Sequence, residues 1–152
     1  MSAMSKSLVC VDASFVLKLV LPEEHSERTL TLWKNWLLDG IQPISPRLLL
    51  YEVTSVLRKL AHRGVLSQSN ADETFSAIYR IIISQVQIID PENLHEKAWK
   101  LAKQFNRPTA YDCHYLALAE QMSCSFWTAD ERLFNVVHDQ LDWVRWLGHD
   151  SC

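Results

Sequence analysis

Short apolar runs alternate along the chain with longer segments in which apolar residues recur every three or four positions. These are the periodicities of strand and helix. LVCVD (8–12) reads as a strand, and Ser14 is the expected N-cap of a helix over FVLKLVL. Pro22 suits the first turn of a helix running to about Leu38, which Gly40 ends. IQPI reads as a short strand. Ser45-Pro46 then opens a helix with Ser as N-cap and Pro at the first position. Leu49, Val53, Val56, Leu57 and Leu60 share one face of it through His62, and Gly64 stops it. Ser67 to Ile83 is a further helix and VQIID a strand. Asp90-Pro91-Glu92 signals the next helix, with Leu94, Ala98, Leu101, Ala102 and Phe105 on one face. After a break at Pro108-Thr109, AYDCHYLALAEQM is apolar nearly all round, which predicts a buried helix. SFWTA is a strand, ERLFNVV a short helix and LDWVRWL a final strand. Strands separated by helices predict an α/β fold, its mostly parallel sheet of four or five strands covered on both faces.

Composition narrows this only a little. A chain of 152 residues suits one domain, expected over 1–152 with a core of about 7–147. No apolar run approaches the ~20 residues of a membrane span. The leader MSAMSKS precedes only four apolar residues before Asp12, so no signal peptide is expected. Cys10, Cys113, Cys124 and Cys152 lack paired spacing and read as reduced thiols of a cytoplasmic protein. The net charge of −3 argues against a domain that coats nucleic acid by bulk electrostatics. It leaves room for an enzyme that touches a few phosphates.

The chemistry rests on four carboxylates. Asp12 ends the first strand, Glu52 lies one turn into a helix, Asp112 starts a second helix, and Asp130 follows a late strand. In an open α/β sheet, chain ends that follow strands converge on one ligand-binding edge. Acids gathered there repel one another unless a cation joins them. Each has a structural alternative. Asp12 can turn the chain, Thr109-x-x-Asp112 and Thr128-x-x-Glu131 fit capping boxes, and Glu52 can face solvent. Glu52, however, sits among Leu48, Leu49, Val53 and Val56, and Asp112 lies in the most apolar helix. A carboxylate buried there needs a partner.

Other chemistries find less support. The glycines, Gly40, Gly64 and Gly148, are isolated, so there is no phosphate-cradling loop and no nucleophile elbow. Cys113 and His114 point about 100° apart on a helix and read as one core and one surface residue. Trp33 with Trp36, and Trp143 with Trp146, are packing pairs by default, with an interface as the alternative. The run Arg58, Lys59, His62, Arg63 is a solvated helix end, or else an RNA-phosphate contact.

Four segments, VDASFVLKLVLPEE, YEVTSVLRKLAHRG, AYDCHYLALAE and WTADERLF, occur in that order over nearly the whole chain. Together they resemble the PIN-domain ribonucleases, and within these the VapC-like toxins of toxin–antitoxin pairs. The resemblance implies a PIN-like three-layer sandwich and carries the family's acids onto Asp12, Glu52, Asp112 and Asp130, with its hydroxyls at Ser14 and Thr128. Two departures stand out. Ser55 replaces a small amide residue, and Cys113-His114 replace small residues after the acid; the first-turn position of His114 leaves its reach into the cleft open. The resemblance also implies an RNA substrate, a small antitoxin partner and a homodimer or higher assembly.

The expected function is therefore that of a toxin endoribonuclease using Mg²⁺ or Mn²⁺, since carboxylate oxygens suit these hard cations better than zinc. Asp12, Asp112 and Asp130 are the leading metal ligands, Glu52 binds metal or holds its water, and Ser14 and Thr128 orient the carboxylates. Two rival classes remain: a DNA nuclease or phosphohydrolase using the same acidic edge, and a non-catalytic binding module.

Overall fold

A computed structural model describes residues 6–149. Five strands, β1 (Leu8–Val11), β2 (Gln42–Ser45), β3 (Gln87–Ile88), β4 (Ser125–Thr128) and β5 (Val144–Trp146), form one parallel sheet ordered β3-β2-β1-β4-β5. The helices between them are α1 (Ala13–Leu17), α2 (Ser26–Leu38), α3 (Leu48–His62), α4 (Gln68–Gln85), α5 (Leu94–Gln104), α6 (Tyr111–Gln121) and α7 (Glu131–Val137). The alternating pattern thus predicted the fold class, and the strand number lies within the expected range.

Residues Val9, Cys10 and Val11 of the central strand are all buried, as a strand covered on both faces requires. Helix α6 packs against β1 and β4, with α5 outside it, while α3 packs against α4 and α1. Six consecutive or near-consecutive residues of α6 are buried, Cys113 and Tyr115 to Ala119, in agreement with its all-round apolar sequence. Trp33 and Trp36 pack inward: Trp36 stacks on Phe15 with ring centroids 5.3 Å apart, and Trp127 closes on both. That pair is core. Trp146 stacks on Phe134 beside β5.

The strand order puts β2 and β3 on one side of β1, then β4 and β5 on the other. The direction of winding therefore reverses between β1 and β4. Open α/β sheets bind ligands in the crevice that such a reversal leaves at the carboxyl ends of the strands.

Several helix starts differ from the pattern, each for a tertiary reason. Asp12, not Ser14, caps α1, its carboxylate accepting from Phe15 N at 2.9 Å. Helix α2 begins at Ser26 rather than Pro22. The Ser26 hydroxyl accepts from Glu23 N and donates to Leu21 O, and His25 has φ +68, outside any helix. Ser45 does not cap α3. It belongs to β2 and donates to Val11 O at 2.8 Å, and α3 starts at Leu48. Asp90 does not open α5, whose N-cap is Asn93; its carboxylate instead accepts from Arg47 N at 3.1 Å, just ahead of α3. Strand β3 is shorter than VQIID, spanning Gln87–Ile88, although Ile89 N still donates to Ser45 O of β2 at 3.0 Å. Neither threonine forms the proposed capping boxes: Ala110 precedes α6 without a side-chain bond, and Asp130 caps α7.

Candidate active site

One open cleft of about 430 Å³ lies at the carboxyl edge of β1 and β4, and Asp12, Glu52, Asp112 and Asp130 all line it. Their elements explain the convergence. Asp12 follows β1, Asp130 follows β4, Asp112 sits in the first turn of α6, and Glu52 projects from the first turns of α3. The structure thus brings all four sequence candidates together.

Asp12 is the most enclosed. One carboxylate oxygen accepts from the Ser14 hydroxyl at 2.7 Å and from Phe15 N, and the other accepts from the Thr128 hydroxyl at 2.5 Å. Ser14 Oγ in turn accepts from Ala129 N, and Thr128 Oγ1 from Asp130 N, each at 3.0 Å. Each hydroxyl has one proton and spends it on Asp12, so the 3.2 Å approach of Ser14 to Thr128 is a contact between oxygens with no proton left to share. Despite these donors, burial pushes the Asp12 carboxyl up to about 7, and the charge of Asp112 adds to the rise.

The other acids are held by neighbours of their own. Glu52 accepts from the Tyr115 hydroxyl at 2.5 Å; burial raises its pKa, Tyr115 opposes the rise, and Asp112 adds to it. Asp112 faces Arg107 Nη2 at 3.3 Å. Burial and the charge of Asp130 raise the Asp112 carboxyl, while Arg107 pulls it back. Asp130 spends one oxygen on Leu133 N at 3.2 Å. For Asp12 and Asp130, capping a helix and lining the cleft are one placement, so the two readings coexist.

The donor set tests the fit of a cation. Among the described residues, no three His, Cys, Asp or Glu side chains are drawn together as tightly as an ion would hold them. Glu52 and Asp112 are turned to Tyr115 and Arg107 instead. Chemically the set fits: five carboxylates, Glu23 besides the four, and no sulfur line the cleft, and burial raises the pKa of Asp12, Glu52 and Asp112. Hard divalent cations take such oxygen ligands.

Four groups at or beside this site escaped the sequence reading: the Lys18–Glu23 ion pair, 3.5 Å apart in the cleft lining, Tyr115 and Arg107. Tyr115 stands three residues after Asp112, a spacing that places both on one helix face and was a usable signal. Arg107 lies in the loop before α6, where Asn106 has φ +50; no periodicity points to it. His114 does not line the acidic cleft. Its Nδ1 approaches Ala110 O at 2.7 Å and its Nε2 approaches His95 Nδ1 at 2.8 Å, beside a neighbouring hollow. Cys10 and Cys113 are buried unpaired thiols and Cys124 is half-buried, while Cys152 lies outside the described residues. No described helix is long and apolar enough to cross a membrane.

The five-stranded parallel sheet and the acids at its switch point define a parallel α/β class with an acidic ligand edge, and the sequence places the chain within it more narrowly. The chain belongs to the PIN domain family, whose profile matches residues 9–139. Among individual relatives, it is 27% identical over 126 residues to Ribonuclease VapC9 of Mycobacterium tuberculosis, covering 83% of this chain and 88% of that one. Two solved structures share its fold. They are VapC20 of Mycobacterium tuberculosis, a Sarcin-Ricin loop cleaving toxin (18% identity, TM-score 0.60, 85% of this chain and 95% of that one), and FitAB bound to an IR36 DNA fragment (16% identity, TM-score 0.66, 95% and 98%).

Proposed function

We propose that this chain is a metal-dependent endoribonuclease and the toxin of a toxin–antitoxin pair. The observation that carries the reading is the convergence of Asp12, Glu52, Asp112 and Asp130 on one cleft in a PIN-domain chain. The likeness to a named ribonuclease over most of both chains supports RNA as substrate. The FitAB likeness bears on the fold; the antitoxin partner and a homodimer or higher assembly follow from the VapC resemblance. The cytoplasm is the matching compartment.

Asp12, Asp112 and Asp130 would hold Mg²⁺ or Mn²⁺, with Glu52 as a further ligand or a water holder. When bound, such an ion supplies positive charge to a phosphodiester and acidifies water. The chain's own groups do the rest. Ser14 and Thr128 fix the Asp12 carboxylate from both sides, so it is oriented before any ligand arrives. Tyr115 holds Glu52 toward the cleft in the same way. Lys18 in the cleft lining and Arg107 next to Asp112 are the cations placed to exchange a carboxylate for a substrate phosphate. Attack by water rather than by the ribose 2′-hydroxyl leaves 5′-phosphate and 3′-hydroxyl ends.

The test is incubation of mixed RNA with purified protein and Mg²⁺ or Mn²⁺, with EDTA and Asp112→Asn as paired controls. Cleavage that both controls abolish supports the reading. Cleavage that survives both, or products ending in 2′,3′-cyclic phosphate, would overturn it. Single-stranded DNA and a small phosphate ester, run in parallel, separate the RNA reading from other phosphodiester chemistry.

A further inference from the structure

The acidic cleft does not end at Glu52. That residue also lines a second hollow of about 470 Å³ with Tyr51, Lys59 and Tyr111. Tyr51, Tyr111 and Leu48 then continue into a third hollow of about 480 Å³, bounded by Arg47 and the His95–His114 pair. The three run together as one trough leading away from the carboxylates.

Helix geometry explains the first part of it. On α3, Leu48, Glu52, Ser55 and Lys59 fall three or four residues apart and so form one stripe, with Tyr51 at its edge. The first turn of α6 places Tyr111 on the facing wall. Tyr51 is 67% exposed and Tyr111 59%, and among the described residues neither ring packs on another aromatic. Unlike Trp99, which is as exposed, these two rings share one hollow, and that hollow adjoins the acidic cleft at Glu52.

The occupant follows from the charge. A chain of net charge −3 cannot hold nucleic acid by bulk attraction, so affinity near the cleft has to come from local contacts. Flat aromatic faces beside Lys59, which has no acidic partner among the described residues, match unstacked bases linked by phosphates. Arg47 at the far end lies 3.6 Å from Asp90, which lines the same hollow. A duplex has its base faces already stacked and offers them nothing.

We propose that Tyr51 and Tyr111 form a base-stacking subsite that binds the single-stranded RNA flanking the scissile phosphate. This rests on the ribonuclease reading and adds the groups that decide which RNA conformation is cut.

The test compares the full chain with the pairs Tyr51→Ala/Tyr111→Ala and Tyr51→Phe/Tyr111→Phe. Two measurements are made: anisotropy of a fluorescein-labelled, mixed-sequence, single-stranded 12-mer RNA in EDTA, and its cleavage with Mn²⁺. The alanine pair should weaken binding and raise KM by about ten-fold or more, with kcat little changed. The phenylalanine pair keeps both faces and should stay within about two-fold of the parent. Both tyrosines are exposed, so thermal melting should coincide for all three proteins.

Binding and KM unchanged in the alanine pair, while the parent cleaves, would overturn the subsite and leave the nuclease reading intact. Parent protein that binds RNA and never cuts it would overturn the nuclease reading; the subsite would then stand on the alanine pair's loss of binding. Parent protein that neither binds nor cuts would overturn both. Unchanged RNA binding with a fall from dimer to monomer in the alanine pair would make the trough a self-contact and overturn the proposal.

Discussion

Helix α1 is shared by two regions built on opposite principles. Ser14 turns to the acidic cleft, and Phe15, the next residue, is fully buried against Trp33, Trp36 and Trp127. In the aromatic cluster every group gains from its neighbours, because apolar burial and ring packing add. In the cleft the neighbours oppose one another: burial and adjacent charge raise the pKa of Asp12, Glu52 and Asp112 together. Removing a side chain from the first region should weaken the fold. Neutralising one in the second should spare or strengthen it. A cation bound there would relieve that repulsion, while the cluster beneath contributes stability through apolar burial.

The largest effect expected on stability is in the aromatic cluster. Phe15→Ala should cost about 3–5 kcal/mol in chemical denaturation, and a cost below 1 kcal/mol would show that the cluster does not support α1.

Next comes the pH dependence of the metal-free protein. The folded Asp12 carboxyl lies near 7 against 3.8 unfolded, so the folded state holds the proton more tightly. Its contribution to stability is present below about pH 4 and is lost as pH rises through about 7, by at most about 4 kcal/mol. Denaturation in EDTA across that range should show stability falling with pH, and Asp12→Asn should flatten the fall. Parallel curves for the two proteins would dissolve the contrast between cleft and core.

The same Asp12→Asn variant should lose cleavage by about a hundred-fold or more while melting no lower than the parent at pH 8. An unfolded variant would mean that the helix cap is the main role of Asp12. The smallest effect expected is that of Tyr115→Phe. It removes the hydroxyl bond to Glu52, at about 1 kcal/mol of stability, and should lower cleavage by more than that stability loss explains if Glu52 needs to be held.

The comparison also marks how far the sequence could be read. Every strand and helix was legible from local periodicity, as with the all-round apolar α6 and the LVCV strand, and even the short β3 falls within VQIID. The four acids were legible because they stand at element ends, where an α/β sheet collects its chemistry. Helix starts were read less well. Ser14, Pro22, Ser45, Asp90 and Thr109 each carried a local capping signal, and in each case another contact or backbone turn won. Ser45 bonds to a strand 34 residues away, and Asp90 to Arg47, 43 residues away.

Periodicity is a property of neighbouring residues, so sequence alone determined the order of elements, the parallel sheet and the candidate acids. The partners of those acids were decided only by tertiary structure. Thr128 reaches Asp12 across 116 residues, and Tyr115 reaches Glu52 across 63. Hydrogen bonds of that span depend on where the switch point brings β1, β4, α3 and α6 together, which no local pattern encodes. The exposed tyrosines beside the cleft belong to the same class: two aromatic residues 60 positions apart become one surface only when α3 and α6 face each other.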